Sequence, residues 1–135
     1  MLERLAKRAV SDVDNVELRI GLADAFGRLR AEEGVPFLIS ELTLQRHLRP
    51  INWTKGESVI EDGLPSVGAL VRVGKPAAER LISQFYELPN RSRLPALFVL
   101  RRVKGPQTRE FLLTALNLIH AEERVIRAGL VERAP

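Results

Sequence analysis

Residues 64–85 read LPSVGALVRVGKPAAERLISQF and decide the class of fold. Apolar side chains recur at every third position from Leu64 to Val73, and a second apolar set follows at positions 81, 82 and 85. Each set keeps to one face of an α-helix. Gly74 and Pro76 stand between the two sets, where a glycine ends one helix and a proline begins the next. This stretch therefore predicts two helices joined by a tight turn.

The same pattern occurs twice more along the chain. The first apolar set recurs at offsets of 44 and then 30 residues, and the second at offsets of 43 and then 31. The matching positions are Ile20, Ala23, Phe26 and Leu29 with Leu38, Ile39 and Leu42, and then Leu94, Leu97, Leu100 and Val103 with Leu112, Leu113 and Leu116. Three such hairpins predict an all-α fold, a right-handed α-solenoid with terminal helices, in which these apolar positions are buried.

The chain has the length of one domain, 1–135. We expect repeats at about 14–46, 63–88 and 91–117, a short helix over 2–11, and a C-terminal helix or cap over 118–129. A helix from Ser11–Asn15 to about Arg30 and a second one opening at Pro36 make up the first repeat. Residues 45–63 interrupt the pattern as a long insertion, which we interpret as a loop. Pro65 and Pro95 share one repeat position, which suits a helix start or a kink. The last helix opens near Pro106 and either continues towards Ile126 or breaks near Asn117 or His120.

These units resemble HEAT repeats, in particular the short bacterial HEAT-like repeats also found in proteins related to phycobilisome lyases. The resemblance rests on residues 35–42, VPFLISEL, which are similar to the family's second helix. It rests equally on residues 67–78, VGALVRVGKPAA, which are similar to the first helix and turn. It covers residues 14–117 and implies a helical stack that holds partners. The long first linker departs from the family, and Asp24 is the one counterpart of the frequent Asp of its first helix.

The composition limits the possible classes of protein. There is no Cys, so the chain has no disulfide and no thiolate metal site. No apolar run approaches the length of a membrane span, and the N-terminus has no apolar export segment, so we expect a cytoplasmic protein. The net charge of +4 permits acidic proteins or nucleic acid as partners, although so small an excess is common on solvated helix faces.

Arg28, Arg72 and Arg102 keep the same repeat offsets and form a predicted basic ladder. Equivalent positions in stacked helices lie roughly 10 Å apart, so such a ladder can clamp carboxylates or phosphates. The alternative is that these arginines join neighbouring repeats, because repeated positions usually serve repeat packing. Both interpretations are open.

Trp53 is the only Trp and lies in the insertion. Tryptophan is enriched at interface hot spots, so Trp53 is a candidate anchor for a partner. The competing interpretation is that Trp53 covers the widened gap between the first two repeats, since Trp is highly buried on average.

The second helices of the repeats are expected to line a concave surface, as in other stacks of this kind. Its exposed positions carry mixed charge, which favours a polar protein partner over a polyanion. These positions are Glu41, Gln45, Glu79, Gln84, Arg109 and Thr114. Self-association through the C-terminal helix is a further expectation, because the stripe from Leu118 to Ile126 needs cover.

The sequence thus favours a non-enzymatic scaffold or adaptor that binds another protein through the concave face and the Trp53 loop. Nucleic acid is the runner-up partner, through Arg-rich turns such as residues 101–104, although stacking aromatics are not interleaved with them. A chromophore-holding component is a third interpretation, implied by the phycobilin-lyase resemblance alone. We expect no catalytic, metal or cofactor site, because His47 and His120 lack partners at ligand spacing and no nucleophile or phosphate-loop motif occurs.

Overall fold

The computed structural model describes residues 15–47 and 51–118. Every regular element in these two ranges is a helix, so the all-α prediction is confirmed for them. The helices are α1 (Val16–Leu29), α2 (Val35–Ser40), α3 (Glu57–Gly63), α4 (Pro65–Val73), α5 (Lys75–Gln84), α6 (Asn90–Arg102) and α7 (106–118), with 3-10 turns at Glu32–Gly34 and Phe85–Glu87. The predicted helix over 2–11 and the cap beyond Leu118 lie outside the described residues. No helix of the described ranges is both long and apolar enough to cross a bilayer.

Helix α1 begins and ends close to where its sequence predicts. The side-chain oxygen of Asn15 accepts a hydrogen bond of 3.0 Å from the Leu18 N–H, which caps the first turn. At the other end Arg30 adopts the left-handed conformation, with φ 49° and ψ 44°. Its N–H donates to Gly27, and the next N–H, of Ala31, donates to Phe26. These two bonds form a Schellman motif, which closes a helix through its backbone.

Helix α4 is the centre of the packing. It contacts α1, α2, α3, α5 and α6, and α1 is the neighbour with which it shares its most extensive contact. The two helices approach closely at Gly27, where an added Cβ would lie 2.9 Å from the Cβ of Ala69. The largest fully buried side chains are Phe26, Leu38, Leu42, Leu70, Leu81 and Leu100. All six belong to the repeated apolar pattern, so the pattern marks the centre of the core.

The expectation that every matching apolar position is buried is wrong at four exposed positions, and six more are only partly buried: Ile20, Val73, Ile82, Leu97, Val103 and Leu112. Leu29, Leu94, Leu113 and Leu116 are each about half exposed or more. Leu29 is the last residue of α1, and the other three belong to α6 and α7. A periodic stripe identifies the apolar face of a helix, but burial also requires a neighbour over that face.

The interpretation of the whole insertion as a loop is wrong. Its second half forms α3, which begins after Gly56 and places Glu57 in the first turn, where a carboxylate favours the helix dipole. Ile60 of α3 is buried in the main core. The preceding helix α2 ends at Ser40, earlier than the apolar pattern indicates.

The two ends of the insertion are joined to each other. The Arg46 N–H donates to the Gly63 carbonyl at 2.9 Å, and the Arg46 Nε donates to the Asp62 carbonyl at 3.1 Å. The two prolines that share a repeat position behave differently: Pro65 begins α4, whereas Pro95 lies inside α6. Helix α7 continues to Leu118 without a break at Asn117; His120, the other predicted break, is outside the described residues.

Candidate functional site

A groove of about 630 Å³ lies between the insertion, α6 and α7. The ring of Trp53 forms one wall and meets Phe98 of α6 with 6.2 Å between centroids and a 64° angle between planes. The interpretation of Trp53 as a cover for the gap between the first two repeats needs adjustment, and its role as a partner anchor stays a prediction. The indole packs on the third repeat rather than in the gap between the first two, and it remains only half-buried.

The rest of the groove is mostly apolar. Its floor and opposite wall are formed by side chains of α3, α6 and α7. They are Ile60, Leu94, Leu97, Phe98, Leu112, Ala115 and Leu116. Leu94 is 51% exposed and Leu116 is 48% exposed. Large apolar side chains that share a concave surface with a Trp are typical of a site that another molecule covers.

The polar residues that line the groove include two cations, Lys55 and Arg101, and one carboxylate, Glu57. Lys55 and Arg101 are exposed and line the groove. Lys55 forms no ion pair with any residue of the described ranges, and Arg101 is 3.9 Å from Glu57. The Glu57 carboxylate also accepts a closer contact of 3.1 Å from Arg102. An acidic group on a bound partner would therefore meet incompletely neutralised cations.

Arg102, the third member of the predicted ladder, has ion-pair partners within the chain. Its Nε donates to Glu61 at 2.8 Å and its Nη1 lies 3.1 Å from Glu57, so it ties α6 to the insertion helix α3. The hydrogen bond that Arg102 donates to Glu61, followed by the attraction of the same carboxylate, raises the pKa of Arg102. At this position the alternative interpretation, a structural arginine, is the one that fits, and the third rung of the ladder has a structural contact.

The other two members of the ladder do come together. Arg28 and Arg72 line one concavity, between the last turns of α1 and α4, and Arg30 joins them there. Arg30 is not predicted by the repeat pattern, because nothing in that pattern singles out the residue after the helix. The one available signal was that α1 ends without a glycine.

The residues predicted to form one concave surface differ in their burial and in the residues they contact. Glu41 is largely buried and accepts hydrogen bonds from Nε and Nη2 of Arg19, the shorter of them 2.6 Å, so it joins the end of α2 to α1. Glu79 is exposed and lies 4.0 Å from Lys75. Arg109 lines a second groove with Lys104 and Leu113. Gln45 and Thr114 are exposed, and Gln84 is half-buried.

Asp24 has a defined role in this structure. Its two carboxylate oxygens accept hydrogen bonds of 3.0 and 2.7 Å from Arg46, which links α1 to the start of the insertion. Hydrogen bonding to Asp24 raises the pKa of Arg46 despite partial burial. Arg46 therefore stays protonated, and the ion pair holds the first repeat against the insertion.

Within residues 15–47 and 51–118, no three His, Asp or Glu side chains lie close enough together to hold a metal ion. Comparison of the chain with protein-family models, curated proteins and solved structures gave no match.

Proposed function

We propose that the chain is a cytoplasmic, non-enzymatic scaffold whose HEAT-like hairpins stack as a solenoid and whose Trp53 groove binds another protein. The observation that carries this proposal is the groove itself. It combines the single Trp with half-exposed Leu94 and Leu116 in one concave surface. Aromatic anchors surrounded by apolar side chains are what protein interfaces use at their centres.

The order of helix contacts supports the stacked arrangement. The first helices of the three hairpins contact in sequence, since α1 packs on α4 and α4 packs on α6. The second helices α2 and α5 also contact each other. Such nearest-neighbour contacts between equivalent helices are expected of a solenoid and leave its grooves available to partners.

The chemistry of the groove favours a particular kind of partner segment. Its apolar floor suits leucine-like side chains on one face of a helix, as in other helix-in-groove complexes. The exposed cations Lys55 and Arg101, of which Arg101 has only a distant ion pair with Glu57, favour acidic residues beside that face. We therefore assign an acidic amphipathic helix as the partner segment.

Trp53 supplies the readout, because its fluorescence is the only indole fluorescence of the protein. Two short synthetic helical peptides are titrated, with the same leucine stripe and with either Glu or Lys beside it. We expect a saturable change in Trp53 emission with the Glu peptide, and binding at least about five-fold weaker with the Lys peptide. Emission that does not change with either peptide contradicts a helix-binding groove.

A pair of leucine variants locates the binding. Leu116→Glu places a charge inside the groove and should abolish the fluorescence change. Leu29→Glu makes the same substitution on α1, at a residue that is 65% exposed and outside the groove, and should leave the titration unchanged. Equal effects of the two variants would show that the peptide binds elsewhere.

A further inference from the structure

Three arginines surround one open concavity of about 530 Å³ at the ends of α1 and α4. Arg28, Arg30 and Arg72 line it together with Asp24 and Gly27. All three arginines are exposed. None of them forms an ion pair with a carboxylate of the described part of the chain. Among the described residues that line this concavity, the three arginines outnumber the single carboxylate, that of Asp24, so the concavity carries an excess of positive charge.

The backbone brings these arginines together. Gly27 lets α4 approach α1, and an added Cβ there would lie 3.6 Å from Nη1 of Arg72 as well as 2.9 Å from Ala69. The guanidinium of Arg72 is thereby placed beside the last turn of α1, which carries Arg28. Any side chain at position 27 would force the two helices apart and disperse the cluster.

Arg30 is held in an unfavourable backbone conformation. It is the one residue other than glycine with positive φ among the described residues. The Schellman motif that requires this conformation uses backbone atoms alone, and glycine would adopt it at lower cost. Backbone strain of this kind concentrates at binding sites, where a side chain is needed in spite of it.

The nearby carboxylates are already bonded to other arginines. Asp24 accepts two hydrogen bonds from Arg46, and Glu61 accepts one from Arg102. Asp62, which with Arg72 borders the adjoining groove, lies 3.9 Å from Arg46. The positive charge of the cluster is thus left for a ligand from solution.

We propose that Arg28, Arg30 and Arg72 bind a small ligand through a terminal phosphate or pyrophosphate group. A planar guanidinium can donate two parallel hydrogen bonds to two oxygens of one phosphate. Several arginines around one phosphate group also supply positive charge that offsets its negative charge. A compact cluster suits one oxyanion rather than a nucleic-acid strand, because Arg102, the next rung along the repeats, is bonded to Glu57 and Glu61. This site shares no residue with the Trp53 groove.

Calorimetric titration with sodium pyrophosphate at low salt tests the proposal on the full chain. We expect saturable binding at one site. Arg30→Gly and Arg72→Gln should each raise the dissociation constant at least about five-fold, because each removes a charged hydrogen-bond donor. Arg91→Gln removes the same charge from an exposed site on α6 and should leave the dissociation constant unchanged.

Arg30→Gly also separates binding from folding, because glycine suits the left-handed position. Thermal unfolding should show this variant to be at least as stable as the parent, so its weaker binding cannot result from unfolding. Absence of pyrophosphate binding, or equal weakening by Arg91→Gln, overturns the proposal. The proposal is also overturned if single-stranded oligothymidylate binds through the same arginines and pyrophosphate does not. The ligand would then be a nucleic-acid strand.

Discussion

Trp53 meets Phe98 edge to face across 6.2 Å, which joins the insertion to the first helix of the third hairpin. The two residues are 45 positions apart in the sequence. The insertion and the third hairpin therefore contribute side chains to one surface.

Replacing Trp53 by Ala should affect binding more than folding. The indole is half-buried, so we expect the free energy of unfolding to fall by about 1–2 kcal/mol, measured by urea denaturation. Binding of a fluorescently labelled acidic peptide should weaken at least about ten-fold, as expected of an aromatic hot spot. A sharp loss of stability with unchanged peptide affinity would instead identify Trp53 as a core side chain without a binding role.

Two leucines of the repeated pattern should respond very differently to truncation. Leu70 is fully buried, so Leu70→Ala should lower the free energy of unfolding by about 2–5 kcal/mol through loss of contacts and a residual cavity. Leu29→Ala changes a residue that is 65% exposed and should cost less than about 0.5 kcal/mol. Urea denaturation of both variants measures the difference, and similar losses would contradict the core described above.

Two glycines offer a second matched pair. A Cβ at Gly34 would lie 2.4 Å from the ring of Phe26, so Gly34→Ala should destabilise the protein by about 1–3 kcal/mol. A Cβ at Gly21, within α1, meets nothing within 4 Å, and Gly21→Ala should stabilise by about 0.5–1 kcal/mol through helix propensity. Thermal or urea unfolding should give changes of opposite sign.

The backbone conformation at the end of α1 predicts a stabilising substitution. Arg30→Gly should raise the free energy of unfolding by about 0.5–1 kcal/mol, because glycine adopts positive φ without steric cost. Arg28→Gly, in the last helical turn, should lower it by about the same amount. Destabilisation by both substitutions would mean that the Arg30 side chain contributes to folding.

The ion pair between Asp24 and Arg46 should contribute a measurable coupling energy. Its bidentate geometry and partial burial predict about 0.5–1 kcal/mol in a double-mutant cycle with Asp24→Ala and Arg46→Ala. Because hydrogen bonding raises the pKa of Arg46, that side of the pair stays charged at every pH convenient for the measurement. The exposed Lys75–Glu79 pair, at 4.0 Å, is the control and should give less than about 0.3 kcal/mol. Added salt should reduce the smaller coupling first.

Much of the helical framework could be predicted from local sequence. Asn15 caps α1, Gly74 and Pro76 separate α4 from α5, and the equivalent positions Phe26, Leu70 and Leu100 are all buried. These features depend on helical period and turn chemistry, which a short window of sequence contains.

The candidate sites depended on contacts between distant parts of the chain. Arg102 appeared equivalent to Arg28 and Arg72, and its bond to Glu61 comes from a helix inside the insertion, 41 residues away. Leu94 and Leu116 appeared to be core, since a repeat pattern does not specify which helix faces are left uncovered. Arg30 was missed because left-handed conformation is a property of the closed helix end rather than of the residue type.

The hydrogen bond between Arg46 and Gly63 places the two ends of the insertion side by side. Among the described residues between them, Ile60 alone is buried. The entropic cost of closing a loop rises only with the logarithm of its length, by about 0.6 kcal/mol for each doubling. The segment can thus lengthen at its exposed positions, such as those around Gly56, at little cost in free energy, whereas Ile60, Trp53 and Glu61 tie the rest of it to the neighbouring helices.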